Sequence, residues 1–327
     1  MTPIHAKSPC CGALVRRFGK RRRQCIHCKR TWRIRKKKLG RKRTRHTKAL
    51  LKRILVYGNT LAQEQRNFHG LQSVSIAARF AEALRAYMRA PAPRLPQEPY
   101  TLIVDGVYFK FKRKEWVMYL MALKPRHSHH MYFLDPVLLR GRERLEEWYK
   151  AIDTIPPKTG KQIKALVSDG LRGFQQLATS HGWVHQRCHF HLLASLVRGK
   201  GKRRYLTRGS NVRDKILTVV RILLADKSVR KRERSRQALR RYINDPACPS
   251  YVRKHVLEFF EREHDFRAYL THPTLNLPTT TSAMESTGRL VRKATRTART
   301  PESLRMRAVA FLRLKRSVTC NGFDTPN

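Results

Sequence analysis

Two apolar runs in this chain each end in Asp-Gly: Thr101-Leu102-Ile103-Val104-Asp105-Gly106 and Ala165-Leu166-Val167-Ser168-Asp169-Gly170. Continuous apolar runs of this length predict buried strands, so each places an acid where a buried strand ends. Carboxylates are scarce here, with 22 Asp and Glu against 72 Lys and Arg. Asp105-Gly106 has a second reading as a type I′ hairpin turn, because Val107-Tyr108-Phe109-Lys110-Phe111 follows with strand character. Asp169 is followed by Leu171, Phe174, Leu177 and Ala178 at helical spacing. Strand–Asp–helix is the order in which α/β folds place chemistry, outside the carboxyl ends of strands.

A third acid, Glu285, lies in Thr279-Thr280-Thr281-Ser282-Ala283-Met284-Glu285, just inside a predicted helix. Arg289, Arg292 and Arg296 follow it on one helical face. That face reads either as a solvated Glu–Arg ladder or as a metal-holding acid beside arginines that grip DNA. Two strand-end aspartates and a helical glutamate can converge to hold Mg²⁺ or Mn²⁺, the arrangement that cuts and rejoins phosphodiesters. The net charge of +50 makes nucleic acid the best inferred partner. The sequence has no Gly-rich phosphate loop that would point to ATP.

Five segments follow from composition and periodicity. Residues 1–46 carry Cys10, Cys11, Cys25 and Cys28, four of the seven cysteines, and then a basic arm. Cys25-Ile26-His27-Cys28 resembles the second knuckle of a zinc ribbon; in the first, Cys11-Gly12 is in place but Ser8 occupies the expected ligand position. Cys10 or His5 would supply the fourth ligand to a structural Zn²⁺, and a degenerate, metal-free loop is the alternative. Residues 47–97 read as three helices and a Pro-rich linker. Leu50, Leu51, Ile54 and Leu55 share one face; Ser73–Met88 turns Val74, Ala77, Ala78, Ala81 and Leu84 inward. This pattern suggests either helix-turn-helix DNA readout or a plain helical hairpin. Residues 98–204 alternate strands (101–105, 107–112, 116–123, 131–134, then the run ending at Asp169, then 183–186) with helices, giving an α/β mixed sheet. Residues 205–271 carry helical periodicity only and read as an insertion into that sheet, which resumes over 272–327 with basic helices.

These segments resemble a bacterial insertion-sequence transposase of the Mutator-like type, within the DDE superfamily. The resemblance rests on Val104-Asp105-Gly106, Ser168-Asp169-Gly170, Gln186-Arg187-Cys188-His189-Phe190-His191 and Thr281 through Glu285. It implies a ribonuclease-H-like core interrupted by an all-helical insertion, with Asp105, Asp169 and Glu285 as the catalytic, metal-holding acids. It implies that Cys188 and His191 support the active site without ligating the catalytic ions. The family glutamate is usually preceded three residues earlier by asparagine; Ser282 stands there instead. The implied activity is cleavage at the ends of a mobile element and strand transfer into target DNA, by at least a dimer.

No apolar stretch reaches the ~18 residues that a membrane span requires. Together with the clustered cysteines and the missing signal-peptide core, this gives a cytoplasmic, nucleoid-associated expectation. The competing functional class is a DNA-binding regulator on a catalytically decayed transposase fold. Charge, ribbon and helices fit both; the three acids favour the enzyme.

Overall fold

The computed structural model describes residues 4–19, 22–33, 48–67, 73–89, 91, 95–197 and 210–319. The chain divides into two compact units, Met1–Ala49 and Leu50–Asn327. The basic arm over 36–45, the turn at His69-Gly70 and most of the Pro-rich linker lie outside the described residues.

The first unit is an antiparallel meander of β1 (Ile4–Lys7), β2 (Leu14–Arg17), β3 (Arg22–Cys25) and β4 (Thr31–Arg33). Val15 pairs with Cys25 across β2 and β3, and both are buried. With so little apolar surface to cover, a sheet this small needs a further source of stability.

The second unit opens with a π-helical turn at Lys52–Val56, then α1 (Leu61–Asn67) and α2 (Ser73–Arg89). Thr60 caps α1 reciprocally: its Oγ1 accepts from the Gln63 N–H at 3.2 Å, and Gln63 Oε1 accepts from the Thr60 N–H at 2.7 Å. Glu64, fully buried, accepts from Arg53 Nε at 2.7 Å and Asn59 Nδ2 at 2.8 Å, tying α1 to the preceding turn. The inward face of α2 differs from the predicted one. Ile76, Phe80, Ala83 and Leu84 are buried, whereas Ala77 and Ala78 are exposed. The two helical stripes lie about one position apart, and the one carrying Ile76 and Phe80 removes more apolar area from water.

The sheet runs β10-β9-β5-β6-β7-β11, with β8 pairing β6. Its strands are β5 (Tyr100–Phe111), β6 (Lys114–Pro125), β7 (His130–Phe133), β8 (Val137–Arg140), β9 (Ile163–Ser168), β10 (Val184–Arg187) and β11 (Ser317–Thr319). β9 lies parallel to both β5 and β10, and β5–β6 is a long antiparallel hairpin, so the sheet is mixed. Asp105-Gly106 is not a turn. It lies mid-strand in β5, where Asp105 pairs with Leu120, and the hairpin closes at Lys112-Arg113 with φ of 45° and 65°. Two successive positive φ values are what a type I′ turn needs, here supplied without Asn or Gly. β11 adds an edge strand beside β7 that periodicity did not suggest.

The helices between strands are α3 (Leu145–Ile152), α4 (Phe174–Ser180) and α5 (His189–Val197). Next come α6 (Ser210–Ala225), α7 (Val229–Asn244) and α8 (Ser250–Glu261), and finally α9 (Ser282–Thr295) and α10 (Pro301–Lys315). Residues alternate faces along β5. Ile103 and Val107 face a core that includes Leu51, Phe80, Met284, Val291 and Phe311. Leu102 and Val104 face a second core with Trp148, Phe174 and Leu177. The helices α6 to α8 bury their own cluster, with Ile216, Val220, Leu239, Val252 and Phe259 at its centre. Among the described residues, no helix is long and apolar enough to cross a membrane.

Candidate active site

Strand alternation puts Asp105 on the same face as Ile103 and Val107, the face covered by α9. The helix approaches closely there because position 288 is glycine. A Cβ on Gly288 would lie 2.8 Å from Val107 Cγ2 and 3.9 Å from Asp105 Oδ2. Glu285 sits in the first turn of α9, its N–H bonded to the Thr281 carbonyl at 3.0 Å. Asp169 follows the carboxyl end of β9 and accepts from the Leu171 N–H at 3.1 Å, so its side chain shapes the strand-to-helix turn.

Asp105 feels the other two acids. Burial pushes Asp105 up to about 7; His191 pulls it down, and the charges of Asp169, Glu143 and Glu285 push it up again. Glu143 is a fourth acid of this group, and it lies outside any motif. Its Oε2 accepts from Tyr108 Oη at 2.8 Å and its Oε1 from Trp148 Nε1 at 2.9 Å. Burial raises its pKa, and Asp169 raises it further against the pull of those two donors. A Cβ on Gly106 would stand 2.7 Å from either carboxylate oxygen of Glu143. Glycine follows Asp105 because a carboxylate occupies that space, not because the chain turns. Nothing in the spacing of Glu143 could have announced this.

His191 acts electrostatically on Asp105, and Cys188 joins the chain that leads into α9. Cys188 Sγ accepts from the Thr281 N–H at 3.1 Å and from Thr281 Oγ1 at 3.3 Å, which fastens β10 to the start of α9. Burial pushes the Cys188 thiol up, but its bonds to His191 and Thr281 outweigh that and lower it. His191 is raised to about 9, first by its bond to Cys188 and further by Asp169 and Asp105, against the pull of burial. The same motif also pins the chain beyond α8. Gln186 Nε2 donates to the Phe266 carbonyl at 3.0 Å, Gln186 Oε1 accepts from the Tyr269 N–H at 2.9 Å, and His189 Nε2 lies 2.6 Å from the Phe266 carbonyl.

Arg289, Arg292 and Arg296 are exposed on α9. Among the described residues no ion pair joins Glu285 to Arg289; Arg289 Nη2 instead reaches Ser286 Oγ at 3.4 Å.

The donor set suits a hard divalent cation: carboxylate oxygens from three elements, mutually repelling and partly desolvated. Among the described residues, however, the set whose ligand atoms all lie within 4.8 Å of one another is the cysteines of the first unit. The acids are more widely spaced. Cys10 and Cys28 Sγ are 3.2 Å apart, Cys11 and Cys25 3.3 Å, and Cys11 and Cys28 3.9 Å. Four thiolates at Zn–S distances of about 2.3 Å stand roughly 3.8 Å apart in a tetrahedron, so this quartet could bind zinc. Adjacent Cys10 and Cys11 both belong to it, and the His5 side chain lies outside the described residues. Ser8, buried behind the quartet, lies 3.5 Å from Cys11 Sγ and holds the Cys25 thiol down to about 5 as its largest influence.

No family model matches this chain, and no curated protein matches it. Among solved structures, a chain from the cryoEM structure of the simian T-cell lymphotropic virus intasome in complex with PP2A regulatory subunit B56 gamma is similar at a TM-score of 0.22 and 10% identity. That likeness covers 57% of this chain and 66% of the other, and at such a score it carries no argument about fold or function.

Proposed function

We propose that the protein is a metal-dependent DNA transposase with a ribonuclease-H-like core, acting by phosphoryl transfer at the ends of a mobile element. The observation that carries this reading is the close approach of α9, which bears Glu285, to the strand face that bears Asp105, where a Cβ on Gly288 would lie 3.9 Å from Asp105 Oδ2, in a chain of net charge +50. Asp105, Asp169 and Glu285 would hold Mg²⁺ or Mn²⁺, which when bound activates the attacking oxygen and stabilises the leaving one. Glu143 is held by Tyr108 and Trp148 in a fixed orientation beside them and keeps the far side of Asp105 acidic. The His191 cation balances part of that charge, and Cys188 fixes its position through Thr281. Arg289, Arg292 and Arg296 would carry the DNA backbone along the exposed face of α9, a positioning role that needs no base contact.

In this reading the cysteine quartet holds a structural Zn²⁺ in a ribbon over 1–46, and α1 and α2 form a helix-turn-helix within 47–97 that reads element ends. The sheet over 98–204 and 272–327, split by the helices of 205–271, is the catalytic core. The protein works as at least a dimer on DNA in a bacterial cytoplasm. Wild-type protein incubated with end-labelled DNA flanking its own reading frame is expected to nick at a defined phosphodiester with Mg²⁺ and not with EDTA. Sequence-preferring binding without any metal-dependent nicking would leave the DNA-binding regulator as the better account.

A further inference from the structure

Arg187 is the member of the Gln186–His191 motif that the chemistry above leaves unused. Its side chain is 8% exposed, and its guanidinium lies over the Phe266 ring, 4.8 Å from the centroid. Nη2 makes two long contacts of 3.5 Å, to the Gly170 carbonyl and to Glu258 Oε1. Nη1 is buried and has no hydrogen-bond partner among the described residues. A buried charged donor left unmet is costly, and native structures rarely keep one without a use.

Arg187 lines a cavity of about 170 Å³ together with Gly170, His191, Ser195, His255 and Glu258, although Nη1 itself is closed off from it. Its size corresponds to roughly ten waters, room for a phosphate and its sugar-side oxygens. One wall is Gly170, the residue after Asp169. A Cβ there would stand 2.6 Å from Arg187 Nη2, so glycine at this position is what lets the guanidinium lie beside the strand end. The Glu258 side chain is 39% exposed, and an entering anion can displace its single long contact.

We propose that this cavity is an oxyanion subsite, with Arg187 as its binding residue, and that it takes a phosphodiester of the DNA strand presented to the acids. The identity of the anion as DNA rests on the function proposed above; the oxyanion chemistry rests on Arg187 and the cavity alone. The Phe266 ring lies against one side of the guanidinium, and Nη2, whose contacts to the Gly170 carbonyl and Glu258 are both long, would exchange them for a charge-assisted bond to a phosphate oxygen.

The test uses the full chain with ¹³C-labelled histidines, the His255 signal being assigned through His255→Gln, in high salt that screens surface binding. Inorganic phosphate and the dinucleotide TpT are titrated separately. Both are expected to shift the His255 signal saturably in wild type, at least tenfold more weakly in Arg187→Met, and with intermediate affinity in Arg187→Lys. Ser195→Phe, which fills the cavity while leaving Arg187 in place, is expected to abolish the shift; thermal melts establish that each variant is folded. Equal shifts in wild type and Arg187→Met would overturn the subsite, and so would a shift that never saturates. Saturable binding of phosphate without TpT would overturn its assignment to a DNA strand. Since no readout involves cleavage, a saturable His255 shift in a protein that never nicks DNA would remove the enzyme and keep the oxyanion site. Nicking without the shift would do the reverse.

Discussion

At the scale of single residues, Asp105 is the group on which opposing effects meet. Burial and three neighbouring carboxylates favour its neutral form, the His191 cation favours the anion, and the balance is a pKa pushed up to about 7 from the ordinary 3.8. The folded state then holds a proton more tightly than the unfolded chain. The resulting stability is fully present below about pH 3.8 and is lost as pH rises through about 7. In EDTA at pH 8, Asp105→Asn should therefore melt higher than wild type, by on the order of a few kcal/mol, and the two should converge toward pH 4. Equal melting at both pH values would mean that Asp105 is not held among like charges. Asp169 and Glu285 could be singled out in the sequence because each sits at a recognisable boundary of an element; Asp105 was singled out as a strand end, whereas it lies in the middle of β5. Glu143 was not, since only the fold carries it across to Gly106. The reason for Gly106 was hidden with it, which is why Asp-Gly resembled a hairpin turn.

At the scale of elements, the site depends on α9 lying close against β5. Gly288→Ala places a methyl 2.8 Å from Val107 Cγ2, inside a packed core that must shift to admit it. The expected cost is about 1–3 kcal/mol of stability, with cleavage reduced by at least tenfold because Glu285 moves with the helix. Chemical denaturation and single-turnover nicking measure the two effects; an unaffected variant would show that the approach of α9 is slack. In the first unit, Cys25→Ser should remove about one bound zinc per chain and unfold the meander, as metal analysis and proteolysis of full-length protein would show. Wild-type protein free of zinc but equally resistant to protease would contradict this. Periodicity disclosed the helices α6 and α8 and most strands of the sheet because long amphipathic or apolar runs leave a strong pattern. It misplaced the face of α2, where two stripes compete, and missed β8 and β11, whose four and three residues are too short to carry a period. The close pairing of Cys10 with Cys28 was also beyond it, since adjacent cysteines can be reconciled with one ion only once the loop geometry is known.

At the scale of the whole molecule, a net charge of +50 has to be reconciled with a buried Asp105 that feels three other acids. Charge distributed over every segment binds a polyanion strongly and with little selectivity, whereas the acids repel it unless cations intervene. In the proposed function, binding and chemistry fall to different residues, and they should be separable. The direct test is a comparison of Asp105→Asn, Asp169→Asn and Glu285→Gln with wild type, on a labelled DNA end in Mg²⁺, with a gel shift of the same samples alongside. Each amide keeps the size of its carboxylate and removes the charge that would hold a divalent ion, so cleavage should fall by several orders of magnitude in all three. DNA affinity should stay within a few-fold of wild type, because it rests on dozens of Lys and Arg residues elsewhere. Undiminished cleavage in any one variant would contradict the assignment of that acid, and undiminished cleavage in all three would contradict the account.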